Sequence, residues 1–263
     1  MLRLGLLALA ALAAPAALAQ ERELSTDRPD KTESPYTVPA GRFQVELDFV
    51  TYTIDRAAGV RAETVNVLPV NVKAGLDADT DLQIIFDSYI HQSINDRVAG
   101  TRRELDGIGD LTVRLKRNLL GNDGGKAALA IMPFVKLPTN SGGLGNDAVE
   151  GGIIVPLAIA IGQGVGLGLM TEIDLLRDED GAGYSPSFVN TATIGFDLTE
   201  RLGLYTEIFT ERSAERGADW VVTFDAGLTY AISDDIQIDA GANLGLTQAA
   251  DDIALFVGLS RRF

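Results

Sequence analysis

Nine carboxylates and four basic residues recur at every second position of stretches that are otherwise apolar. They are Glu46, Asp48, Asp87, Glu172, Asp174, Glu207, Glu211, Asp225 and Asp239, with Lys73, Arg114, Lys116 and Lys136. A period of two puts such groups on one face of a strand, and in a closed sheet on a common interior. An acid-rich lining of this kind would favour cations and disfavour anions. The same set could instead neutralise itself across a filled, structural interior. Both readings follow from the spacing.

Other chemistry is less well supported. The sole histidine, His91, has Ser88, Ser93 and Asn95 near it in sequence, the ingredients of a lipid hydrolase. Residues at i and i+2 on one strand face are about 7 Å apart, so a nucleophile would have to come from another strand. A solvated histidine beside a loop is the plainer account, and the chain is read as a non-enzyme. The acidic pieces Asp178-Glu179-Asp180 and Asp251-Asp252 lack the spacing of a Ca²⁺ loop and read as solvated loops. Gly164-Val165-Gly166-Leu167-Gly168 has no helix after it, so small interior-facing residues explain it better than a nucleotide loop. With no cysteine there is no thiolate metal site or Cys nucleophile. No cofactor or metal is expected.

The elements that would carry the charged face are strands. From Arg42 to the end, alternation runs through 42–54, 62–75, 80–92, 107–119, 126–137, 148–161, 165–177, 187–198, 202–212, 218–231, 236–248 and 253–263. In the tenth, Trp220, Val222, Phe224, Ala226, Leu228 and Tyr230 share one face against Val221, Thr223, Asp225, Gly227 and Thr229. Strands of about ten to twelve residues match a tilted bilayer crossing, and Trp220 and Tyr230 fall where two interfacial girdles would lie. Twelve is an even number, as bacterial single-chain barrels require. The expected fold is therefore an all-β, transmembrane, antiparallel up-and-down β-barrel over residues 42–263.

The flanking sequence agrees. Residues 1–19 have Arg3, an Ala/Leu run and Ala17-Leu18-Ala19, the pattern of a signal peptide. Without Arg3 the mature net charge is about −16, unsuited to nucleic acid. The longest later apolar run, Gly151 to Gly162, is interrupted by Pro156 and too short for a membrane helix. An exported membrane protein without such helices must close its sheet. Residues 20–41 are polar and aperiodic, expected as a periplasmic lead-in or one folded back into the barrel mouth. Connections alternate between long and short, which puts both termini in the periplasm. Pro69, Pro133 and Pro156 lie inside expected strands, where bulges are expected. The second strand is ambiguous, since Val65, Val67, Leu68, Val70 and Val72 do not settle one face.

Several segments carry a resemblance. Ser25-Thr26-Asp27-Arg28-Pro29-Asp30, Thr32-Glu33-Ser34-Pro35, and Val38 through Glu46 resemble the start of the outer-membrane transporter family catalogued as "putative MetA-pathway of phenol degradation". Gly107 through Thr112, Pro133 through Thr139, and the ending Gly258-Leu259-Ser260-Arg261-Arg262-Phe263 match it too. The resemblance implies an outer-membrane barrel passing small solutes, hydrophobic or aromatic compounds among them. Arg261 departs from the pattern, since such endings more often have an aromatic there. The partners expected are outer-membrane lipid and lipopolysaccharide, and the barrel-assembly machinery through the C-terminal strand ending at Phe263.

Overall fold

The computed structural model describes residues 22–178, 181 and 183–263; the expected leader, 1–19, and Glu179 and Asp180 of the acidic loop lie outside the described residues. Thirteen strands are formed: β1 (Phe43–Ala57), β2 (Val60–Asp77), β3 (Thr80–Asp96), β4 (Thr101–Gly107), β5 (Leu111–Leu120), β6 (Ala127–Leu137), β7 (Glu150–Gly162), β8 (Val165–Arg177), β9 (Tyr184–Asp197), β10 (Leu202–Ser213), β11 (Val221–Ser233), β12 (Ile236–Gly245) and β13 (Ile253–Arg262). Every pairing is antiparallel between neighbours, β1 pairs with β13, and β2 pairs with both β1 and β3, so the sheet closes. β5 pairs with Thr80–Phe86 of β3 and β4 with Ile90–Asp96. These two segments are one interrupted stave, and the barrel has twelve.

Alternation places the side chains. On β11, Thr223 and Asp225 are buried while Phe224, Leu228 and Tyr230 are exposed. The same pattern leaves Ile84, Val135, Ile153, Ile173, Phe188, Ile208, Ile238 and Leu255 on the outer wall. So continuous an apolar band has no counterpart on a soluble monomer and suits lipid. The interior holds the buried charges.

Two sequence expectations need correction. The expected strands 80–92 and 107–119 leave 93–106 as a connection, but β3 runs on to Asp96 and β4 returns from Thr101, leaving a four-residue turn. The charged sequence Thr101-Arg102-Arg103-Glu104 hid this strand, because both its faces are polar. The prolines also behave differently from one another. At Pro133 and Pro156 ladder pairs are missing on one side, between β5 and β6 and between β6 and β7, with the same register resumed directly after each gap. These are lost donors, with no extra residue.

Pro69 marks a larger feature. Leu68 before it has a φ of 54°, and the ladders of β2 skip there. β1 bulges at Phe49, β3 loses its pairs around Ser88, and the β4/β5 stave breaks between Gly107 and Leu111. Four adjacent staves are thus interrupted at one level. The alternation changes phase across it: Asp81 and Gln83 are buried below, Ile90 above. This resolves β2, where Val70 and Val72 face outward below Leu68 and Val65 and Val67 face outward above it.

Candidate functional site

Residues 22–41 run through the barrel interior. They enter at the end that carries Phe263, where Arg262 Nη1 donates to the Arg22 carbonyl at 2.8 Å and Arg22 Nη2 to that of Ala78 at 2.7 Å. The chain turns at Lys31–Glu33 and returns. On the way back Asn118 Nδ2 donates to Pro35 O at 2.9 Å and Val38 N to Asp81 Oδ2 at 3.0 Å. A Cβ at Gly75 would lie 2.0 Å from the Pro39 carbonyl oxygen, so this close approach of the segment to β2 requires glycine.

Proline-rich, aperiodic sequence explains why the segment forms no strand, and its charges explain where it docks. The Asp27 carboxylate lies 2.5 Å from both Lys73 Nζ and Lys116 Nζ. Those lysines are 2% and 1% exposed. Glu46 completes the cluster by pairing with Lys73 and accepting from the Asp27 amide at 3.1 Å. Burial opposes ionisation of Asp27, but the ammonium groups of Lys116 and Lys73 outweigh it and hold its carboxyl well below the usual range. Buried charges persist only when paired in this way.

Arg28 makes the second anchor. Its guanidinium lies 2.5 Å from Asp48 and 2.7 Å from Asp239, with the Phe256 ring centroid 5.8 Å away. A Cβ on Gly258 would fall 2.2 Å from Arg28 Nη2, so Gly258 makes room for it. At the turn, Lys31 Nζ sits 3.3 Å from Asp225 and 4.2 Å above the Phe209 ring. The Lys31 amide donates to Glu207 at 2.9 Å and the Thr32 hydroxyl at 2.5 Å, while Arg114 pairs with Glu33.

Eight of the thirteen charged candidates therefore meet the inner segment: Glu46, Asp48, Lys73, Arg114, Lys116, Glu207, Asp225 and Asp239. The other five line the half of the interior beyond its turn. Asp87 accepts from Asn66 at 2.7 Å, Glu211 from Ser187 at 3.2 Å, and Lys136 lies 3.4 Å from Glu150. Asp174 is buried with Oδ1 unpartnered, two residues from Glu172 on the same strand face. Trp220 precedes β11 and Tyr230 lies near its other end, both exposed; Arg212 stacks on Trp220 at 5.4 Å and Arg261 on Phe263 at 4.5 Å.

Sequence reasoning missed the partners Asp27, Arg28, Lys31 and Glu33, whose signal was a mixed-charge lead-in ahead of a mixed-charge face. It also missed an apolar pad inside the barrel. Met132, Ile154, Met170 and Val189 are buried together with Phe134 and Phe209 packed on them. β6 and β7 are apolar on both faces, which was the available clue. His91 is in mid-strand rather than beside a loop. Its Nδ1 is 2.8 Å from Asp106 Oδ1, which also accepts from Tyr89 at 2.6 Å. Among the described residues no serine hydrogen-bonds to it.

The family model described as "Putative MetA-pathway of phenol degradation" matches residues 26–263. This chain belongs to that family. Three solved structures show the same fold at low identity. The NanC porin has a TM-score of 0.53 at 10% identity, over 83% of this chain and 98% of its own. The translocator domain of autotransporter NalP from Neisseria meningitidis has 0.52 at 11%, over 86% and 90%. The β domain of the Bordetella autotransporter BrkA has 0.50 at 14%, over 86% and 100%. No curated protein matches. Family and fold together make this chain an outer-membrane β-barrel.

Proposed function

We propose that this family member is an outer-membrane channel for small solutes whose conduit is occupied over half its height by residues 22–41. Both termini lie on the periplasmic side in this reading, with the longer connections outside, a mature chain beginning after residue 19, and lipopolysaccharide around the outer rim. The C-terminal strand through Phe263 is the segment offered to the assembly machinery. The observation that carries the proposal is the ion-pair set joining Asp27, Arg28, Lys31 and Glu33 to the wall. A permanent filling would need only apolar packing. Charged clamps are strong when dry and weaken once water enters, which suits an obstruction that yields.

The solutes that fit are small and partly apolar. Beyond the turn, Glu172, Asp174 and Glu211 give an acidic lining, and the Phe134 and Phe209 pad gives an apolar one. Nothing in this arrangement assembles a nucleophile and base, so catalysis has no place in the proposal. The test is conductance of the refolded mature protein in planar bilayers under a salt gradient, beside an Asp225→Asn/Asp239→Asn variant. Cation-selective steps whose reversal potential shifts toward zero in the variant are expected. No steps from protein of verified heat-modifiable gel mobility would leave a structural barrel instead.

A further inference from the structure

We infer that a small organic cation binds beside the plug, in a cavity of about 610 Å³ between residues 28–30 and the wall formed by β7–β10. This rests on the channel reading, of which it would be the periplasmic station. The cavity is bounded at the barrel end by the β7–β8 turn at Gly164 and extends inward to Asp30 and Tyr205.

The wall there is built to stay bare. Ala160, Gly166, Gly195 and Tyr205 form one cross-strand row on β7, β8, β9 and β10. A Cβ placed on Gly166 or Gly195 would meet nothing within 4 Å. Open space in a strand interior is unusual, because glycine weakens a strand and normally marks a close approach. Here the approach is to the cavity. The row continues through Gly227 and Gly241, where Tyr205 lies flat: a Cβ on Gly227 would fall 2.6 Å from Tyr205 Cε1, and one on Gly241 2.9 Å from its hydroxyl. Tyr205 is thereby turned away from the bare wall beside it.

One group at this place lacks a counter-ion. Asp30, on the cavity wall, takes part in none of the ion pairs among the described residues, and the Thr193 hydroxyl on the same wall donates instead to the Thr206 carbonyl at 3.3 Å. Arg28, also on the cavity wall, already has Asp48 and Asp239. The site therefore offers an acidic group without a counter-ion and a broad surface lacking side chains. A cation carried on a flat apolar body satisfies both, since it supplies the counter-ion that ionised Asp30 lacks. An anion would meet Asp30, and a neutral molecule would leave it uncompensated.

Calorimetric titration of the folded full-length mature barrel in detergent at pH 8.5, where Asp30 is mostly ionised, tests this with three probes of one shape: benzylammonium, benzyl alcohol and benzoate. Benzylammonium is expected to bind at least tenfold more tightly than the alcohol, and benzoate not at all. Gly195→Leu and, as a second filling variant, Gly166→Leu should each abolish binding, and Asp30→Asn should weaken it tenfold or more. Heat-modifiable mobility verifies folding of each. Equal binding of all three probes, or binding that survives both leucines, would overturn the site. Conductance separates the two claims: a conducting barrel that ignores benzylammonium loses only this site, and a silent barrel that binds it loses only the channel.

Discussion

Asp30 shows how a single residue sets the plug's response to acid. Burial first, and then the neighbouring Glu207 carboxylate, push its carboxyl up to about 8 from an ordinary 3.8. The docked state therefore holds a proton that a solvated Asp30 would release at any pH between those values, and docking weakens as pH rises through that window, by at most tenfold per unit. Asp27 acts in the opposite sense but elsewhere. Its carboxyl is held low, so its contribution is complete above about 4 and is lost only in stronger acid. Backbone amides of residues 27–34 should accordingly exchange more readily at pH 8.5 than at pH 5.5 after correction for intrinsic rates. Asp30→Asn should remove most of that difference, with Glu33, also raised first by burial, supplying the remainder. An unchanged slope in Asp30→Asn would assign the effect to other groups. None of this was legible in the sequence, because the environment of Asp30 exists only once the segment meets β9 and β10.

The strands were far more legible than the plug. Eleven of the twelve expected strands correspond to one strand each, and the twelfth, 107–119, to β5 with the end of β4, because burial on two unlike sides writes a period of two directly into the residues. Where the phase slips, the pattern misleads. Val65, Val67, Val70 and Val72 all face outward, but the switch at Leu68 makes them look undecided. The segment 22–41 has no period to read, since it binds through individual charges. Its strength is nonetheless concentrated at one point. Asp27→Ala would leave Lys116 buried without its partner and Lys73 with Glu46 alone, a loss of the kind that costs about 3–5 kcal/mol. The plug should then leave the interior more often, seen as larger or more frequent conductance steps and faster proteolysis of residues 22–41. Adding Lys116→Met to Asp27→Ala should recover part of the docking, since removing both charges leaves less unpaired. If the double variant is worse than the single one, the pair is not what holds the segment.

At the scale of the whole barrel, the outside is governed by a different solvent from the inside. Charges are stable on the inner wall because the plug and the facing strands pair them, and apolar residues are stable on the outer wall because lipid replaces water. The outer face of β11 runs from Val222 through Phe224, Ala226, Leu228 and Tyr230 to Ile232, beside the turn at Asp234. If that face crosses the bilayer between Trp220 and Tyr230, cost must depend on depth. An arginine at Ala226, near the middle, should destabilise the barrel by about 2–4 kcal/mol, and the same residue at Ile232, near the rim, by about 0–1 kcal/mol. Replacing Ala226 removes almost no packing, so its penalty reports the lipid rather than a lost contact. Reversible denaturant unfolding from lipid vesicles measures both, with Ala226→Gln separating charge from size. Equal penalties at the two positions would mean that the apolar band does not mark the membrane there, and that Tyr230 is no interfacial anchor. A steep difference would fix the barrel's vertical position, and with it the depth of the plug's turn at Lys31, which pairs with Asp225 one residue away on the opposite face of the same strand.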